Sequence, residues 1–154
     1  MKKETLARSL FFAALSLFCS SYTFCLFCKK QGIEGYVYLV TGNQMPSPDI
    51  KKAPPKGVKT TLYIYELTNL QQVTRVGQSG LYSAIHTKLV KTVTTDKNGH
   101  FKVKLPPGRY SLFTKDDTMF YANWFDGGNN IAPTEVTAKK WTTVEVKMDS
   151  KAVY

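Results

Sequence analysis

The amino-acid sequence predicts an all-β domain, a sandwich of seven to eight short antiparallel strands, preceded by an N-terminal hydrophobic signal helix. Three observations carry this. Residues 90–113 alternate with strand period around two turn signals. Further short β-favouring runs, each bounded by Gly, Pro, Asn or Asp, recur along the rest of the chain. The first 28 residues have another character, basic and then apolar.

In that N-terminal segment Lys2, Lys3 and Arg8 precede a stretch from Ser9 to Cys28 without a charged side chain, and Leu10 to Phe18 form its apolar centre. This is the layout of an export signal. Cys19-Ser20-Ser21 supplies small residues for cleavage. The uncharged run is nearly long enough to span a bilayer, so retention as a membrane anchor is the second reading. All three cysteines, Cys19, Cys25 and Cys28, fall here. The remaining domain, 29–154, therefore has no internal disulfide. Cys28 sits at the junction and is the candidate lipidation site, although Phe27 before it is larger than the small residue lipoprotein signals carry.

Gly32 to Thr41 reads as the first strand, and Gly42 to Pro48 breaks it. Residues 46–57, with four prolines, read as a loop. Val58 to Leu67 reads as the second strand. Residues 69–83 show no clean period and read as a long excursion, with a short helical turn at 68–73. Within 90–113, Asp96-Lys97-Asn98-Gly99 and Pro106-Pro107-Gly108 are the two turns. Phe101, Val103 and Leu105 take one face between them, with Lys102 and Lys104 on the other. This stretch predicts three consecutive antiparallel strands. Residues 135–137 and 141–148 predict two closing strands around Ala138-Lys139-Lys140.

The charge balance is +10. Setting aside Lys2, Lys3, Glu4 and Arg8 leaves 18 basic and 10 acidic side chains, so the excess belongs to the domain itself. Its lysines mostly alternate with strand apolars, the pattern of a solvated face that also resists edge pairing. No nucleic-acid motif accompanies them, so nucleic acid is not an expected partner.

No catalytic constellation is evident. His86 and His100 lie on segments that are not expected to meet, which argues against a metal site. No strained nucleophile turn of the G-x-S-x-G kind occurs. Asp126-Gly127-Gly128-Asn129-Asn130 offers oxygen donors, but no glutamate closes a calcium loop and turn formation accounts for the residues. The expectation is no enzyme, no metal and no cofactor. The best candidate contact site is Asn123, Trp124 and Asp126, beside an aromatic run whose flat, polar-tipped rings suit protein or sugar. Asn43 and Gln44, in the Gly42 to Met45 loop, are the second candidate.

The motifs T-T-D-x-x-G-x-F and L-P-P-G-x-Y-S-L resemble the carboxypeptidase regulatory-like family, whose domains are transthyretin-like (prealbumin-like) sandwiches. G-N-Q-M-P at 42–46, Y-I-Y-E-L-T at 63–68, T-K-L-V-K at 87–91, L-P-P-G-R-Y-S-L-F at 105–113 and F-D-G at 125–127 are similar to a subgroup of Bacteroidetes-type envelope lipoproteins. The resemblance implies an exported protein of the periplasm, outer membrane or cell surface, lipid-anchored through Cys28. It carries no peptidase part, so it implies no activity. The expected role is a non-enzymatic module for protein interaction or scaffolding in the envelope. The alternative is a polysaccharide-binding accessory domain using the exposed aromatic loop. Membrane association is expected only through the N-terminal segment or a lipid anchor.

Overall fold

The computed structural model describes residues 30–45 and 55–153. The signal helix, Cys28 and residues 46–54 of the proline-rich loop lie outside the described residues. Within them the chain is all-β, with no α-helix. Eleven strands form two sheets, a β-sandwich.

In the smaller sheet β1 (Gly32–Asn43) is central. It pairs antiparallel with β2 (Lys56–Gly57) and β7 (His100–Lys104), which share one of its sides. Along its other side runs β11 (Trp141–Val153), in parallel. The larger sheet has the order β4 (Val73–Val76), β5 (Leu81–Ile85), β9 (Met119–Tyr121), β8 (Gly108–Asp116), β3 (Thr61–Glu66), β6 (Leu89–Thr94). There β10 (Pro133–Val136) also pairs with β8, next to β9.

Three expectations need correction. Among the described residues the strands number eleven, not seven or eight, because pieces of two to four residues escape a periodicity reading. The sandwich is not purely antiparallel, because the β1–β11 pair is parallel. The strands of 90–113 are consecutive, but they do not pair with one another. β6 pairs with β3, β7 with β1 and β8 again with β3, so each turn carries the chain from one sheet to the other. The crossing from β10 to β11 does the same. A turn signal specifies that the backbone reverses. It does not specify which strand receives the free hydrogen-bonding edge.

Both turns are held locally. The Asp96 carboxylate accepts from the N–H groups of Asn98 and His100, at 2.8 and 2.9 Å. Gly99 sits at φ 79°, and a β-carbon there would stand 2.2 Å from the Val37 carbonyl oxygen. At the other crossing, the Tyr110 hydroxyl donates to the Pro106 carbonyl at 2.9 Å. The segment 69–83 is not a loose excursion. After a 3-10 turn at Leu70–Gln72, where expected, it forms the β4–β5 pair.

The core lies between the sheets. Ile33 and Val37 of β1 meet Leu62, Ile64, Phe101, Val103 and Leu112, all buried. The alternation of Phe101, Val103 and Leu105 with exposed Lys102 and Lys104 is as the period predicts. On β3, Tyr63 and Tyr65 alternate with Leu62 and Ile64 and so occupy the opposite face. There they form an aromatic cluster with Phe113, Phe120 and Tyr82, whose edge-to-face ring contacts run from 5.3 Å for Tyr63–Phe120 to 6.5 Å for Phe113–Phe120. Five successive residues of β8, Tyr110 to Thr114, are therefore buried.

Candidate functional site

The first predicted site begins where β9 ends. The chain leaves the sheet after Tyr121, and Trp124 and Phe125 emerge 46% and 40% exposed. Their backbone is fixed on both flanks. The Trp124 carbonyl accepts from Ala132 N–H at 2.9 Å, and Phe125 bridges Ile131. Asn123 donates its side-chain amide to Asp149 of β11, which also accepts from the Tyr121 hydroxyl. A small cleft lies between Leu112, Ala122, Trp124, Ala132 and Val146, with a volume of about 10 Å³, space for a single water.

Asp126 organises the loop that follows. Its carboxylate accepts from Gly128 N–H and Asn130 N–H, each at 2.9 Å, and from the Asn130 side-chain amide. Arg109 adds an ion pair at 3.0 Å. These donors, the Asn130 side chain first, hold the Asp126 carboxyl down at about pKa 2. The carboxylate is thus engaged by the loop itself, and Trp124 with Phe125 forms the outward-facing part.

The second predicted site caps the far end of β1. The Asn43 side chain accepts from Met45 N–H at 2.8 Å. Gln44 donates through its side chain to the Thr41 carbonyl at 3.0 Å and through its backbone to the Val153 carbonyl at 2.7 Å. Both residues shape the end of the β1–β11 ribbon, and Met45 is the exposed tip.

Two features have no counterpart in the sequence reading. One is a β-bulge in β11. Leu39 pairs with Met148 but Thr41 with Lys151, so β11 carries one extra residue between them. There Asp149 meets Tyr121 and Asn123, and Ser150 and Lys151 both meet Asp116. The bulge thereby ties the edge of the smaller sheet to the β8–β9 end of the larger one.

The other is the outer face of the smaller sheet. Glu34, Tyr36 and Tyr38 of β1 lie in register with Lys102 and His100 of β7 on one side and Thr143, Glu145 and Lys147 of β11 on the other. The rings of Tyr36 and Tyr38 are 6.0 Å apart and within 15° of parallel, with the His100 ring 5.1 Å from Tyr36. Trp141 lies at the end of this face. Its ring occupies space that Gly32 leaves open, for a β-carbon on Gly32 would come within 2.8 Å of it. Lys102 sits over that ring at 4.2 Å and reaches Glu34 at 2.5 Å. The signal was present in Y-V-Y, but strand period alone does not say which face is inside.

Among the described residues no group of three or more His, Cys, Asp or Glu side chains could hold a metal ion. His86 contacts Thr74, whereas His100 lies in the other sheet. No family model, no curated protein and no solved structure matches this chain.

Proposed function

We propose that this protein is a non-enzymatic, exported β-sandwich module that holds a protein partner in the bacterial cell envelope, as an interaction or scaffolding element. The observation that supports this most directly is the Trp124–Phe125 pair. Two adjacent large apolar side chains stand in solvent on a backbone held by Ala132, Ile131 and the Asp126 loop. Tryptophan is enriched among the anchors of protein interfaces, and on a pre-ordered loop it loses little conformational freedom on docking. Export and a lipid anchor at Cys28 complete the reading and rest on the character of residues 1–28.

The test is cross-linking of the full-length protein in intact cells, followed by mass spectrometry of what is recovered. One dominant protein partner, lost on Trp124→Ala while the protein stays folded by circular dichroism, is the expected result. Trp124 also lines the small cleft beside Leu112 and Val146, so its replacement should cost about 1–2 kcal/mol of packing, and the comparison is made well below the thermal midpoint. Recovery of no consistent protein would sink the reading.

A further inference from the structure

We infer that the outer face of the smaller sheet is a second, separate binding surface, a platform for an acidic polysaccharide. It uses β1, β7 and β11 and none of the residues of the Trp124 loop, so it goes beyond the partner-holding role and does not depend on it.

Ring chemistry comes first. A solvated sheet face is served by Lys, Glu and Thr, which the neighbouring positions carry. Instead Tyr36, 41% exposed, and Tyr38 place two nearly parallel rings side by side, and His100 adds a third. Hydroxyl-tipped aromatic rings offer an apolar surface to the C–H face of a sugar and a hydrogen-bonding edge to its hydroxyls. The rings lie on an open face, which suits an extended chain better than a small sugar that needs enclosure.

Charge decides which chain. Lys147 lies in register with Tyr38, Lys102 and Lys104 continue along β7 beyond His100, all three are exposed, and the whole protein carries +10. Such a surface concentrates a polyanion. Glu145, exposed and in register with Tyr36, and Glu34 are set among the lysines. Carboxylates so placed accept hydrogen bonds from sugar hydroxyls, which a uronic-acid polymer offers on every residue and a DNA backbone lacks. Rings, cations and interspersed acceptors together match a uronic-acid polymer, which presents C–H faces, carboxylates and hydroxyls along its length.

The experiment is calorimetric titration of the purified full-length protein, in mild detergent, with polygalacturonate. Neutral amylose, polyglutamate and oligothymidylate are titrated in parallel. Polygalacturonate should bind most tightly, and less so as salt rises. Tyr36→Ala with Tyr38→Ala should weaken it roughly tenfold or more, the order expected for a lost stacking contact. Lys104→Gln with Lys147→Gln, both at exposed positions, should weaken it and flatten the salt dependence. Trp124→Ala should leave it unchanged. The inference fails if polygalacturonate does not bind, if polyglutamate or oligothymidylate binds as tightly, or if the lysine variant binds like the parent. Sugar binding without any cross-linked protein would overturn the partner reading alone. A cross-linked partner without sugar binding would overturn only this one.

Discussion

At the scale of single residues, Asp126 has the most specific electrostatic consequence. Its pKa is depressed to about 2 from an ordinary 3.8, so the bonds it accepts are intact above pH 4 and weaken as pH falls through 2. Protection of the Gly128 and Asn130 amides, taken relative to their intrinsic exchange rate at each pH, should therefore fall over that window and stay constant between pH 5 and 8. Asp126→Asn should accelerate the same amides at pH 7, since it removes the charge that strengthens each bond. Thr134 makes the opposite case. Its hydroxyl is buried without a partner among the described residues, and Thr134→Val removes that uncompensated group at constant shape. Stability should rise by about 1 kcal/mol in chemical denaturation. The turn-forming use of Asp126 was legible from Asp-Gly-Gly-Asn-Asn. Nothing in the sequence distinguished Thr134, because whether a threonine hydroxyl finds a partner depends on strands distant in the chain.

At the scale of elements, the strands were legible and their partners were not. Phe101, Val103 and Leu105 are buried as their period requires, since one face of β7 has only one interior to meet. Phe101→Ala should cost about 3–5 kcal/mol, measured by denaturant midpoint. The two turns around β7 were equally visible. What they connect was not, because an arch between sheets and a hairpin within one use the same residues. Tyr110 marks the difference in the structure, with its hydroxyl tied back to Pro106 across the crossing. Tyr110→Phe should cost about 1 kcal/mol and leave the strand pairing intact, as read by denaturation and circular dichroism. The platform of Tyr36 and Tyr38 was hidden for a related reason. The residues of β1 alternate correctly, but only the register with β7 and β11 shows what surrounds the two rings. The Trp124 loop, built from contiguous residues, was visible in advance for that same local reason.

At the scale of the whole molecule, the topology is dominated by pairings distant in sequence, β1 with β11 above all. Loop closure must precede every such contact, so folding should take milliseconds to seconds, as for other sandwiches, when followed by stopped-flow fluorescence. The parallel pair has a mechanical meaning as well. Gly32 lies against Trp141 and Asn43 against Val153, so the start of β1 and the end of β11 lie at opposite ends of one ribbon. Tension drawn between those ends slides the two strands past each other and loads their backbone hydrogen bonds together. A hairpin pulled at its open end would instead surrender its bonds one at a time. The β1–β11 ribbon is thus a shear clamp against load applied between the start of β1 and the end of β11.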